Sequence, residues 1–292
     1  MKNLNYYLKK AKEGRYALGH FNFANTEQLK AIAQAFQKVV SENPDKELAL
    51  LVGTSEGEAD FLGYEQAAGL VNAWKVETHL PIFLNADHHK SFESCKKAID
   101  AGYDTVLFDG SKLSFEENVA ETNKVREYAK SKSPDITIEG ELGYLKGNSE
   151  VQNKVEISAE DFTKPEQAGE FISKTGVDRL AVVFGNIHGI VTEQNEKLDI
   201  EHFKKIAAAA GNVYFVLHGA SGLKDEDVKE VIKAGITNVH INTEIRVAYH
   251  QGIEEFEKSP QPHTTTPYKI MAPTVEAMAK VAEEKLVLFT NP

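Results

Sequence analysis

The sequence predicts an α/β protein of one domain, residues 1–292, folded as a (β/α)8 barrel. Two observations carry this: strand-like and helix-like segments alternate along nearly the whole chain, and eight apolar runs have strand length. A third is that no Pro/Ser/Gly-rich linker or low-complexity run divides the chain. The predicted strands are 17–23, 48–52, 81–85, 105–108, 136–139, 179–184, 213–217 and 236–241. Amphipathic stretches at 26–40, 115–131, 165–174, 200–210 and 225–233 lie between them as helices. Pairs such as Ala101-Gly102, Thr175-Gly176 and Ala234-Gly235 mark helix stops before the next strand. A doubly wound open sheet is the competing fold, but it uses fewer strands and a Gly-rich first turn. Here the first predicted strand runs into Ala24-Asn25-Thr26 instead.

Composition narrows the function classes. With 41% hydrophobic residues the chain can fill a barrel-sized core. Its net charge of −11, spread over helix-like segments, disfavours a nucleic-acid partner. The same charge opposes an anionic substrate at long range, so any phosphate must be held by backbone donors, a metal, or individual Arg and Lys side chains. The single cysteine, Cys95, excludes an intrachain disulfide and fits a reducing compartment. It falls in the helix-like run 91–101, where core filling is its expected role. Met1-Lys2-Asn3-Leu4 opens no apolar signal core and no run has membrane length, so the expectation is a soluble, cytoplasmic protein.

Active sites of such barrels sit at the C-terminal ends of the strands. Reading those positions gives Asn22, Ser55, Asp87-His88-His89, Asp109-Gly110-Ser111, Glu139, Glu141, His188-Gly189, His218 to Gly222, and Asn242-Thr243-Glu244. Three histidines, His88, His188 and His218, each follow an apolar strand run. Three imidazoles converging at one end of a sheet make a catalytic zinc-type site with an open position. Asp87 beside the first supplies an acid–base group. Alternation along a strand lets only one of His88 and His89 face such a site. Asp109 either takes a hydrogen bond from an imidazole or caps the next segment. Glu139 and Glu141 share parity; they face the site together or are solvated strand-end charges. The string His218-Gly219-Ala220-Ser221-Gly222 offers backbone amides and the Ser221 hydroxyl to an anion, beyond being a turn. The polar stretch 141–163 lacks a clear period and follows the fifth strand, which suits a lid or binding loop. Gly143 and Gly147 there are hinges or turn residues.

These motifs resemble the class II, metal-dependent ketose-bisphosphate aldolases over nearly the whole chain. The most specific pieces are Leu84-Asn85-Ala86-Asp87-His88, Phe108-Asp109-Gly110-Ser111, Glu139-Gly140-Glu141-Leu142-Gly143, Asn186-Ile187-His188-Gly189 and His218-Gly219-Ala220-Ser221-Gly222. The resemblance implies a TIM barrel, a zinc ion on His88, His188 and His218, and Asp87 as the acid–base residue. It matches Glu141 to a residue near an alternative metal position. Gly189, Gly219 and Ser221 match phosphate-binding loops that also hold a monovalent cation. Arg246 matches a basic residue that reaches the distal substrate phosphate, in some members across a subunit contact. Asn22, Ser55, His240, Asn242 and Thr243 complete the expected substrate-binding set, and a homodimer or homotetramer is the expected assembly.

Three positions depart from the family pattern. His240 stands where an asparagine contacts the triose portion of the substrate. Ser149 aligns with the catalytic glutamate of the mobile loop, and a one-residue shift would let Glu150 serve. Thr192 replaces a lysine often found four places after the second metal histidine. The sequence therefore predicts a zinc-dependent aldolase that cleaves a ketose bisphosphate, foremost fructose 1,6-bisphosphate, to dihydroxyacetone phosphate and an aldehyde. Another zinc or divalent-metal aldolase, for tagatose 1,6-bisphosphate, is the alternative within the class. A non-catalytic sugar-phosphate-binding barrel is the alternative outside it, favoured by His240 and Ser149.

Overall fold

The computed structural model describes residues 2–193, 196–260 and 264–292. Among them, eight parallel strands close a barrel: β1 (Leu18–Asn22), β2 (Leu50–Thr54), β3 (Ile82–His89), β4 (Thr105–Phe108), β5 (Thr137–Leu142), β7 (Arg179–Val182), β9 (Tyr214–Leu217) and β10 (Ile236–Ile241). Closure comes from β1, which pairs with β2 on one side and β10 on the other. All eight overlap predicted strands, β3 running four residues and β5 three residues beyond the expected ends, and the interleaved helices α2 (Thr26–Glu42), α6 (Phe115–Lys132), α7 (Pro165–Thr175), α8 (Ile200–Ala210) and α9 (Asp225–Ala234) match the predicted ones within two residues at each end. Cys95 is buried in α5 (Phe92–Ala101), as expected of a core filler. No described helix is long and apolar enough to cross a membrane.

Local chemistry explains where several helices start. Asn25 accepts a hydrogen bond from the Gln28 backbone at the start of α2. Ser114 and Glu117 form a reciprocal capping box at α6. The helix α3 (Glu56–Leu62) begins at Ser55, whose backbone N–H donates to Glu58.

The stretch 141–163 differs from the expected loop. It contains β6 (Gly147–Gln152), which pairs in parallel with β8 (His188–Val191) as a two-stranded ribbon outside the barrel. The Gln152 amide holds this ribbon, donating to the carbonyls of Asn148 (3.0 Å) and His188 (2.8 Å) and accepting from the Asn148 N–H. A ribbon stitched by a polar side chain carries little hydrophobic alternation, which is why periodicity missed it. His188 accordingly lies on the ribbon rather than directly at the end of a barrel strand.

Candidate active site

β3 carries both the acid–base candidate and a histidine into the barrel mouth. Asp87 and His88 are adjacent, so regular pleating would send them to opposite faces. His88 instead has φ +48°, and the pairing of β3 with β4 shifts register between Ala86 and His89. That left-handed residue, uncommon outside glycine, turns both side chains toward the same region. His89 goes elsewhere: it is buried edge-on to Tyr64, with ring centroids 5.8 Å apart.

The imidazoles and carboxylates crowd together here. His88 Nε2 lies 3.0 Å from His218 Nδ1, and the His88 ring is 4.8 Å from the His188 ring. On its other side, His88 Nδ1 is 3.1 Å from Glu141 and 3.4 Å from Asp109. Among the described residues four sets of donor atoms are tight enough to share one ion; two include His88, namely Asp87/His88/His218 and His88/Asp109/Glu141, and the others are His20/Asp87/His240 and Glu139/His218/His240. His188 stands one ring contact outside those sets. Burial alone would lower the His88 pKa, but Glu141 and Asp87 hold it well above the ordinary value. An imidazole ringed by carboxylates that raise its proton affinity marks a place that favours positive charge. The buried Glu141 Oε2 and Asp87 Oδ1 make ion-pair contacts, to His88 Nδ1 at 3.1 Å and His240 Nδ1 at 3.4 Å, with no well-aligned hydrogen bond among the described residues. These donors fit a divalent cation, which would displace the proton.

Behind the site, His218 Nε2 is 2.7 Å from Glu139 Oε1. Glu139 in turn lies 2.7 Å from the fully buried guanidinium of Arg179. Arg179 also donates to Asn238, Asn85 and Thr105, so its charge is satisfied across the barrel interior. Burial would raise the Glu139 carboxyl, yet Arg179 and His218 keep it low. Glu139 thus fixes the His218 ring and leaves Nδ1 turned toward His88. The sequence reading missed Arg179; its signal was a charged residue opening a strand inside a closed barrel, where charge needs a partner.

Asp87 is held by the residues around it. Burial would raise its carboxyl, but His88 and a contact to His240 keep it well below the usual range. His240 Nδ1 is 3.4 Å from Asp87 Oδ1, and its ring stacks on His20 with centroids 3.7 Å apart. His20 fits because Gly53 has no side chain; a Cβ there would collide with the His20 ring. Burial lowers the pKa of both rings, that of His20 to about 4. Asn22 Nδ2 donates to Asp87 Oδ2 and to Glu58 Oε2, both at 2.9 Å.

A narrow cavity opens onto these groups, lined by Asn22, Asp87, His88, His188, His218 and His240 and by the loop residues Gly189, Gly219, Ser221, Asn242 and Thr243. Gly219 has φ +69°, and a Cβ there would strike the Ile187 carbonyl, so the loop after β9 can approach the ribbon only with glycine. Ser221 Oγ accepts from the Glu244 N–H at 3.4 Å, tying the loop to α10 (Thr243–Glu257). Ser149 also lines the cavity, whereas its neighbour Glu150 is exposed and borders an outer groove with Val247 and His250. The structure therefore does not bring Glu150 to the site, because β6 alternates and Ser149 has the inward parity. Ser55 and Arg246 sit at the outer mouth of the same cleft.

This constellation coincides with a family. Residues 2–291 match the model of class-II fructose-bisphosphate aldolases. The chain is 31% identical over 295 residues to the fructose-bisphosphate aldolase of Streptococcus pyogenes serotype M1, covering 97% of this chain and 95% of that protein. It is 32% identical over 282 residues to that of Staphylococcus aureus strain Mu50, covering 96% and 93%. Among solved structures it resembles the YdjI aldolase of Escherichia coli K12, with TM-score 0.82, 28% identity, and 98% and 96% of the two chains covered. A putative fructose-1,6-bisphosphate aldolase from Coccidioides immitis shares the fold at TM-score 0.83 and 23% identity, covering 99% and 97%. With a family match across its length and relatives above 30% identity, this chain belongs to the class-II fructose-bisphosphate aldolases, metal-dependent carbon–carbon lyases.

Proposed function

We propose that the protein cleaves a phosphorylated ketose reversibly to a triose phosphate and an aldehyde. Fructose 1,6-bisphosphate is the first substrate to test, because the relatives' names point to it. The observation that carries the reading is the buried Asp87 carboxylate at two overlapping donor sets able to hold a cation, Asp87/His88/His218 and His88/Asp109/Glu141. His88, His188 and His218 are the proposed zinc ligands, with Glu141 at an alternative position; imidazole nitrogens and a carboxylate suit that ion. When bound, the ion would polarise the ketose carbonyl oxygen. Asp87 would take the C4 hydroxyl proton as the C3–C4 bond breaks, and return it in condensation. Asn22 and His240 hold its two carboxylate oxygens in place. Gly189, Gly219, Ser221, Asn242 and Thr243 would receive the C1 phosphate through backbone and hydroxyl donors.

The deciding test is a coupled triose-phosphate assay on fructose 1,6-bisphosphate and tagatose 1,6-bisphosphate, with and without chelator. Turnover that chelator abolishes and zinc restores is expected; metal-bound protein inactive on every ketose phosphate would favour a binding role. For the proton that C3 of the triose exchanges, the inward parity of Ser149 leaves His240, which lines the cavity, as the next candidate after Glu150. Glu150→Gln is therefore expected to change hydrogen exchange into dihydroxyacetone phosphate by less than about threefold, since surface changes away from a site have small effects. A loss of exchange in that variant, followed by NMR, would mean that β6 slips by one residue and brings Glu150 inward.

A further inference from the structure

The distal end of the cleft contains an ion pair whose two halves have separate tasks. Glu58 is buried on α3, and its Oε2 accepts from the Ser55 N–H (2.8 Å), the Ser55 hydroxyl (2.9 Å) and Asn22 Nδ2 (2.9 Å). That oxygen caps α3 and steadies the residue holding Asp87. The other oxygen, Oε1, accepts from Arg246 Nη2 at 2.6 Å. Capping needs only the first oxygen, so the second is a dedicated partner for Arg246. Arg246 Nη1 donates to the Ser149 carbonyl at 2.9 Å, and more than a third of its side chain remains exposed at the mouth. The guanidinium is thus reachable by a substrate, but its charge is cancelled by a carboxylate in direct contact.

We propose that Glu58 is a specificity-determining residue: by neutralising Arg246 it turns the far subsite away from a second phosphate and toward the hydroxylated, uncharged tail of a ketose 1-phosphate. The assignment rests on the aldolase reading and on Arg246 facing the distal end of the substrate. A phosphate arriving at Arg246 would carry two negative charges toward a buried carboxylate that cannot move without uncapping α3 and releasing Asn22. The protein's overall charge of −11 adds to that repulsion. A hydroxyl, in contrast, can accept from a free guanidinium N–H while the pair stays intact. Lys90 and Lys112 also line the outer cleft, but Asp109 and Glu141 line it with them.

The test compares kcat/KM for fructose 1,6-bisphosphate and fructose 1-phosphate in the metal-loaded, full-length protein. Wild type, Glu58→Ala, Glu58→Gln and Glu58→Ala/Arg246→Ala would be measured, with metal content and circular dichroism as checks on folding. Removing the carboxylate should raise the bisphosphate-to-monophosphate ratio by about tenfold or more, mainly through a lower KM for the bisphosphate. Adding Arg246→Ala should erase that gain. Glu58→Gln keeps an acceptor for the cap and should show the same direction if the alanine variant folds poorly. A ratio that stays constant or falls in folded Glu58 variants overturns the assignment, as does a gain that survives loss of Arg246. Cleavage of neither sugar, nor of tagatose 1,6-bisphosphate, by any metal-bound form would reject the aldolase reading itself, and the Glu58 assignment with it.

Discussion

Asp87→Asn is expected to lower turnover by on the order of 100-fold or more while the metal and the fold are kept. The substitution is nearly isosteric, so the contacts to Asn22 and His240 can persist in part while the negative charge is lost. Its effect should fall on kcat for cleavage, because the carboxylate acts on the C4 hydroxyl only as the bond breaks. His88 and His240 hold this group ionised against the pull of burial, so the base is ready well below neutral pH. Protonation of Asp87 therefore should not limit the wild-type rate around neutrality. Metal content measured alongside turnover separates the two roles: an inactive variant that has also lost its metal would make Asp87 a ligand. Wild-type turnover in the asparagine variant would remove it from the mechanism.

The barrel was legible because its strands are buried on both faces and its helices on one. Runs such as 105–108, 200–210 and 236–241 announce themselves through apolar content alone, and their bounds agree with the structure. The inward set Asp87, His88, His218 and Glu141 was legible as well, since ionisable residues at strand ends have one face to occupy. Three things were not. The β6–β8 ribbon is held by the Gln152 amide rather than by buried side chains, so nothing in its periodicity distinguished it from a loop. The inward turn of two successive residues, Asp87 and His88, depends on a positive φ at a histidine, which no side-chain pattern encodes. The pairs Arg179–Glu139 and Arg246–Glu58 join residues 40 and 188 positions apart: the first meets at 2.7 Å because β5 and β7 pair with these two residues in register, the second at 2.6 Å because β1 closes the barrel between β10 and β2.

His88→Ala is expected to weaken metal binding by more than about 100-fold, beyond the loss typical of removing a group that merely orients a ligand. His89→Ala should leave it nearly intact. The two residues are neighbours on β3, but His88 contacts His218, Glu141 and Asp109, while His89 packs against Tyr64 away from the cluster. The backbone must be controlled for, because His88 has φ +48° and alanine tolerates that region less well. His88→Asn is the companion variant: asparagine accepts the left-handed conformation but offers no imidazole. Loss of metal in both His88 variants then reports the missing ligand, and loss in the alanine variant alone reports the backbone. His89→Ala should instead show its effect in stability, by about 1–3 kcal/mol, as a buried ring is replaced by a cavity. Metal titration by calorimetry, with thermal unfolding of each variant, reads both quantities. Equal loss of metal from the His88 and His89 variants would break the assignment of β3 parity, and with it the placement of Asp87 beside the ion.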